Sequence, residues 1–499
     1  MAQTEKPMKI SKFLRLKAYE FLNSAPQSPE ILLQIVNHFE SGSDTPSCLL
    51  ALEMIFTSLL RDRKMYFEII PLKIIERTPE NEQKKWLQDA YEDCFMKIVN
   101  LMDNENQKVA IQSLSTAMNL LAAEGRFPTV STTENTVPLL KLKNILIKLL
   151  SPKQNKTNLI TKYTEYLLFD DILFFTWKLL PQLTAKSNAS EVYILNYLSL
   201  LEKLQINPNI ETKYLCSGES GLPINFDVAL TKKYLNRVWQ CIMLWHHTPQ
   251  VHRQLLIVLL EKVLVNLDKP LLLTDFLMDS LDVGGPVSLL ALQGIFTMIQ
   301  VHNLDYPNIF AKLYSMFEPE IFHTRYKARL FYLADLFLSS THLSEMLVGA
   351  FAKRLARLAL LAPSEDIIVI CQFIGNLILR HPGLKCLLHN VDVTTSSNDP
   401  YIMEERDPLK SNAINSSLWE LQSLQHHVQP SVANAARFIN NSLPHVEWDI
   451  GKILENSGSD IFDKEIKKLT KLIVLQFEQP KDNMSLLRGE KVNILWNLF

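Results

Sequence analysis

Apolar residues recur at three- and four-residue spacing along almost the whole chain, and that pattern confines it to amphipathic helices. No strand-like alternation persists beyond a few residues. Only 13 glycines occur in 499 residues. Tight turns and phosphate-cradling loops need the backbone freedom of glycine, so the low count also argues against a sheet-rich or Gly-loop fold. The expected fold class is all-α, a HEAT- or armadillo-like helical-repeat superhelix with degenerate repeats.

Helix starts are marked locally. Ser28-Pro29 and Thr45-Pro46 each place a hydroxyl ahead of a proline at the first helical position, and Gly285-Pro286 plays a similar part. The pattern predicts helices over 9–24, 29–40, 46–64, 81–100, 105–124, 136–150, 157–184 (with a break inside), 189–204, 226–247, 249–266, 270–281, 286–302, 306–316, 321–340, 343–361, 364–380, 412–427, 430–442 and 460–475. Short polar links favour antiparallel neighbours. LLALEMIFTSLL at 49–60 is echoed by LLALQGIFTMIQ at 289–300, as expected of the inner helix of a repeated pair.

A chain of 499 residues is too long for one compact core. It divides into N-terminal repeats (1–205), a linker or surface loop (206–225), central repeats (226–302), a region over 303–442 with an acidic loop at 391–411, and a C-terminal helix with an irregular tail (443–499). The formal net charge is −2, so no global basic field draws the chain onto nucleic acid. Cys48, Cys94, Cys216, Cys241, Cys371 and Cys386 form no Cys-x-x-Cys clip and read as reduced structural thiols. The N-terminus has no apolar core of a secretory signal. Two apolar stretches, 283–301 and 367–379, come nearest to a membrane span and are expected to bury in a helical core.

The motifs of catalysis are missing from the sequence. There is no GxxxxGKS/T loop and no GxGxxG between strand and helix. SGESG at 217–221 is one residue short of a nucleophile elbow and follows no strand. His246, His247 and His252 lack carboxylate or thiolate partners at ligand spacing, as does His426-His427. The carboxylates crowded at 399–407 read as a solvated recognition surface rather than an acid–base pair. The chain is therefore read as a non-enzyme without catalytic, cofactor or metal site.

Residues 321–361 hold six cations and two acids. Arg325, Lys327 and Arg329 open one helix, while Lys353, Arg354 and Arg357 close the next. An antiparallel hairpin sets those ends side by side, so the six are candidates for binding a partner or RNA. Arg354 falls on the arc of Leu343, Leu347 and Ala350, where a charge needs a covering partner. The plainer alternative is a solvated helix end, which the helix dipole favours for the second trio only. Asp335, inside LFYLADLFL, needs a partner if buried. Reversing Arg354 and Arg357 to glutamate is expected to weaken binding and leave the fold intact.

Several runs follow one another in order. NLDYPNIFAKLYSMFEPEIFHTRYKARLFYLADLFLSS carries Tyr306, Pro307, Arg329 and Asp335. AFAKRLARLAL and IGNLILRHP come next, then DPYIMEERDP from Asp399 and Pro400, then SSLWELQSLQHH with Trp419 and Glu420. Over 303–442 the chain resembles the CCAAT-binding-factor family of nucleolar helical-repeat proteins. The first 280 residues share only length and helical character with it. The resemblance implies a nuclear, nucleolar assembly factor of the small ribosomal subunit, working in the small-subunit processome. It also implies a heterodimer with nucleolar protein fourteen, which links it to pre-ribosomal RNA. DNA binding does not carry over, because no DNA-reading motif is present. Lysines such as Lys467 and Lys468 form no import cluster, so nuclear entry is expected to depend on the partner. The alternative is a nuclear-envelope or transport adaptor whose apolar helices meet membrane.

Overall fold

In the computed structural model, every regular element among the described residues is helical, as the periodicity predicts. The structure describes residues 10–24, 29–40, 44–66, 79–129, 137–185, 189–207, 213–216, 226–304, 306, 308–388, 399–441 and 443–472. The chain falls into two compact units, Met1–Met298 and Ile299–Phe499.

In the first unit the order is α1 (Ile10–Asn23), α2 (Pro29–Glu40), α3 (Thr45–Arg61), α4 (Pro79–Asn100), α5 (Gln107–Arg126) and α6 (Leu139–Leu149). It continues with α7 (Thr157–Tyr163), α8 (Asp170–Leu183), α9 (Glu191–Lys203), α10 (Val228–Ile242), α11 (Pro249–Val258), α12 (Thr274–Asp282) and α13 (Gly285–His302). α1, α3, α5, α7, α9 and α11 follow one another in one file, while α4, α6, α8 and α10 form a second. Each pair of helices thus buries its apolar faces against the pairs before and after it, the arrangement of a helical-repeat protein. The echo marks equivalent core positions. Leu49, Ala51, Leu52 and Ile55 of α3 are buried, and so are Leu289, Ala291, Leu292 and Ile295 of α13.

Within the expected linker, residues 213–216 pack into this unit. The buried Asp171 carboxylate accepts from the backbone N–H of Leu215 (3.0 Å) and Cys216 (2.8 Å), and Arg126 Nε donates to the Leu215 carbonyl at 3.2 Å. SGESG lies outside the described residues. His252 bonds Ser280 Oγ at 2.8 Å and stacks on Phe276, which His247 also meets edge-on. Burial pushes the Cys48 and Cys94 thiols up to about 11, which leaves them protonated and unreactive at neutral pH.

The second unit contains α14 (Ile309–Ser315), α15 (Lys327–Phe337), α16 (Glu345–Ala359), α17 (Ser364–Arg380), α18 (Trp419–Leu424), α19 (Pro430–Ala436), α20 (Ile450–Leu454) and α21 (Gly458–Leu472). α17 is its axis and touches α16, α19, α20 and α21. Ile367, Ile370, Phe373, Ile374 and Leu377 repeat at three and four residues along it and are buried. Tyr314, Phe317, Phe331, Phe351 and Phe373 meet edge to face in a chain, with centroids 5.3–6.2 Å apart. The stretch 367–379 therefore spends its apolar residues on this core. Among the described residues no helix is long and apolar enough to cross a membrane, which removes the support for membrane-meeting helices at 283–301 and 367–379.

Two predicted helices are overturned: 321–340 is a 3-10 turn, Pro319–His323, followed by α15, so Arg325 lies ahead of the helix it was expected to open. Residues 412–427 form no single helix but a 3-10 turn, Ala413–Asn415, followed by α18. Asn412 adopts a left-handed conformation (φ 54°), and the chain bends at Ser416–Leu418. The bend is what carries Ser416, Ser417 and Glu420 to the charges on α16.

Candidate functional site

α16 forms for local reasons. Ser344 is its N-cap, accepting from Leu347 N at 3.4 Å, Glu345 lies in the first turn, and Arg357 lies in the last. Its apolar positions bury nearly all round, and Lys353 and Arg354 are buried with them. A fully buried ammonium is costly unless paired. Lys353 Nζ donates to the Ser417 carbonyl (2.6 Å) and to Glu420 Oε1 (2.6 Å), and it meets Asp399 Oδ2 at 2.9 Å. Arg357, one turn on, places Nη2 at 2.6 Å from Asp399 Oδ2 and Nε at 2.9 Å from Glu420 Oε1.

The result is a neutral quartet of two cations and two carboxylates, closed over by Trp419. The indole Nε1 donates to Asp399 Oδ2 at 3.0 Å, and Arg357 stacks 4.8 Å from the ring centre. Ser416 Oγ and the Tyr401 amide donate to Asp399 Oδ1 at 2.5 and 3.1 Å. Burial pushes the Asp399 carboxyl up. The hydrogen bonds from Ser416, Trp419, Lys353 and Tyr401 outweigh it and hold that carboxyl well below the ordinary aspartate range. At Glu420 burial raises the carboxyl despite Lys353 and Arg357. The difference follows from solvation: Glu420 is fully buried, with Oε2 accepting no hydrogen bond among the described residues, while Asp399 is partly exposed.

Arg354 points to another side of α16. Its Nε donates to the Phe317 carbonyl (2.8 Å) and its Nη1 to the Met403 carbonyl (2.9 Å), with the guanidinium 4.6 Å from the Tyr314 ring centre. The partner that covers this charge is the chain itself.

The six cations are thus divided rather than gathered on one binding edge. Lys353 and Arg357 pair with Asp399 and Glu420. Lys327 pairs instead with Glu365 (2.8 Å) and Asp366 (2.9 Å) in the first turn of α17. Arg325 and Arg329 are exposed. Asp335 has the partner it was expected to need, Arg380 Nη1 at 2.8 Å. Tyr306 is buried, Pro400 is exposed and Pro307 lies outside the described residues. Of the acidic loop, 391–398 lie outside the described residues, and 399–411 differ from a solvated surface. Asp399 is drawn into the quartet, Glu405 accepts from the amides of Arg406 and Asp407, and Asp407 caps Leu409 N at 3.1 Å.

Two features escaped the sequence reading. Arg380, at the end of IGNLILRHP, bridges Asp335 to Glu447. Asn376 grips the backbone of Trp448 from both sides, Nδ2 to its carbonyl at 2.8 Å and its N–H to Oδ1 at 2.9 Å. A buried asparagine within an apolar helix was the available signal for the second.

Of the positions quoted from scattered runs, Lys353, Arg357, Asp399, Trp419 and Glu420 converge on α16 and the segment that folds over it. The CBF/Mak21 family model matches residues 288–436, which contain the whole quartet. A second model, described as nucleolar complex protein 4-like TPR repeats, matches residues 30–189. Nucleolar complex protein 4 homolog B of Xenopus laevis is 36% identical over 470 residues, covering 90% of this chain and 89% of that one. The chain belongs to the nucleolar complex protein 4 family. The Gallus gallus homolog is 36% identical across 88% of this chain and 89% of its own, and the Homo sapiens homolog 34% across 83% of each. The N-terminal repeats, in which the sequence reading found only length and helical character, are thus family territory too. In this nucleolar complex protein 4 relative the quartet works as a clamp: its acids and bases neutralise one another and fix the segment 399–424 against α16.

Proposed function

We propose that this chain is a non-enzymatic scaffold of ribosome biogenesis in the nucleolus, acting in small-subunit rRNA processing within the small-subunit processome. It works as a heterodimer with nucleolar protein fourteen, and pre-ribosomal RNA is held through that complex. The observation that carries this reading is the match to nucleolar complex protein 4 homologs along 83–90% of the chain. Stacked helical pairs support it, because they offer long surfaces on which partners are held in one geometry. The buried ionisable groups at the quartet support the non-enzymatic part, since each cation is spent on a carboxylate.

Depletion is expected to lower mature small-subunit rRNA and free small subunits while large-subunit rRNA holds, as read in polysome gradients and by RNA blotting. Equal loss of both subunits argues for a different step. The endogenous protein is also expected to run in gel filtration as a heterodimer. Recovery only as a lone monomer, with no partner, removes the scaffold's second half.

A further inference from the structure

The second file of helices in the first unit changes sign along its length. α4 carries five acids and three cations, whereas α6, α8 and α10 together carry seven cations and two acids. Those two acids, Asp170 and Asp171, are buried at the start of α8. Lys141 pairs with Glu124 and Lys148 with Asp103. The other five cations, Lys143, Lys178, Lys232, Lys233 and Arg237, have no ion-pair partner among the described residues.

Each of the three helices puts a cation on its most accessible stripe. At 100° per residue, Lys143 shares the exposed arc of Leu140 and Ile147 on α6. Lys178 lies between Phe174 and Gln182 on α8, and Lys233 and Arg237 share the arc of Gln240 on α10, with Lys232 at its edge. α8 packs against both α6 and α10, and Phe174 meets Phe226, just ahead of α10, edge to face at 5.7 Å. The stripes therefore lie side by side. Packed helix axes stand about 8–10 Å apart, so the cations extend over about 16–20 Å. Asp268, held by Asn236 at 2.7 Å, borders this face on the α10 side and is followed in sequence by Lys269.

Like charges gathered in this way repel, and a polyanion lying across them relieves the repulsion. We infer that α6, α8 and α10 form a surface that binds the phosphate backbone of RNA directly. This rests on the ribosome-assembly reading above and adds a contact to it. An acidic protein partner fits less well. Protein interfaces centre on an uncharged apolar core and are depleted in lysine. Here Lys143 stands between Leu140 and Ile147, four of the five cations are lysines, and Leu244 lies past the end of α10. Among the described residues no exposed aromatic ring stands on the three stripes to stack a base, so the contact is with phosphates and independent of sequence.

The test measures fluorescence anisotropy with the full chain and labelled oligouridine of about 20 nucleotides. The wild type is expected to bind it and a mixed-sequence RNA of equal length with affinities within about threefold. The variant Lys143→Gln/Lys178→Gln/Lys233→Gln/Arg237→Gln is expected to melt like the wild type and to bind at least about tenfold more weakly at about 0.1 M salt. Each phosphate contact to a single strand contributes about 0.7 to the slope of log affinity against log salt, so that slope should flatten by about 2.8. If this variant melts early, Lys233→Gln/Arg237→Gln, at exposed positions, decides alone, with an expected flattening of about 1.4. Wild-type affinity and slope in the deciding variant overturn the inference, as does failure of the wild type to bind. Both leave RNA held through the heterodimer. Polyglutamate of equal length that displaces the RNA at equal charge concentration assigns the surface to an acidic protein and overturns the inference too. Equal loss of both subunits on depletion removes the ribosome-assembly reading without changing this measurement.

Discussion

Reversing Arg354 and Arg357 to glutamate is expected to unfold the Ile299–Phe499 unit, not to trim a surface contact as the sequence pattern alone suggests. Arg357→Glu sets a third carboxylate beside Asp399 and Glu420, which already lie 2.6 and 2.9 Å from the guanidinium. Arg354→Glu turns an acceptor toward the carbonyls of Phe317 and Met403 and leaves both without their donor. Removing one partner of a buried ion pair costs about 3–5 kcal/mol, and reversal adds repulsion. A whole domain is stable by only about 5–15 kcal/mol. Circular dichroism melts measure the effect; a double variant melting within about 2 °C of the wild type sinks the clamp.

Lys353→Met separates charge balance from charge itself. It leaves Arg357 facing two carboxylates and is expected to cost about 3–5 kcal/mol. Adding Glu420→Leu restores one cation to one anion, Arg357 with Asp399, and should recover a large part of that loss. The acid limb has a defined sign. Asp399 is held below its ordinary value, so its contribution is complete above the unfolded aspartate pKa and is lost as pH falls through the folded one. Glu420 is shifted the other way and weakens that dependence. Lys353→Met removes a donor to Asp399, so acid unfolding of that variant should begin at higher pH.

The helices were legible where local chemistry decided them. The prediction of 364–380 coincides with α17, because Pro363 and the acidic first turn start it and His381-Pro382 ends it. The prediction of 343–361 differs from α16 by two residues at each end, with Ser344 as the cap. The break predicted inside 157–184 is the 3-10 turn Tyr166–Leu168 between α7 and α8. The segment 412–427 failed because its backbone answers to charges far away in sequence. Glu420 lies 67 residues from Lys353, and a helical period carries no information about that pairing. The same limit explains the cations. The wheel placed Arg354 on an apolar arc and so showed that something must cover it. It could not show that Tyr314, Phe317 and Met403 would do so. Over 206–225 turn residues suggested a linker, but buried Asp171 supplies the hydrogen bonds that let the backbone of Leu215 and Cys216 pack.

Gly375→Ala is expected to expel Trp448 and loosen the C-terminal segment that carries α20 and α21. A Cβ built at Gly375 lies 2.5 Å from Trp448 Cζ3, 3.1 Å from Cη2 and 3.3 Å from Cε3. The ring is rigid and cannot slide aside. Asn376 holds the Trp448 backbone at 2.8 and 2.9 Å, and Arg380 grips the preceding Glu447 at 3.0 and 2.6 Å. Relief therefore requires the indole to leave its contact with Phe438, whose ring centre is 6.0 Å away. Overpacking of this kind costs about 1–3 kcal/mol, which for a unit of this size lowers the melting temperature by roughly 2–12 °C. Amide exchange over 447–454 should rise in the variant while exchange in α16 stays as in the wild type. A mutant cycle checks that the indole is the obstacle. Trp448→Ala alone forfeits the ring's packing, but in the Gly375→Ala background it removes the clash as well, so it should cost little or even restore stability. If the two substitutions add, the methyl group is felt somewhere other than at Trp448, and Gly375 is not the notch that seats it.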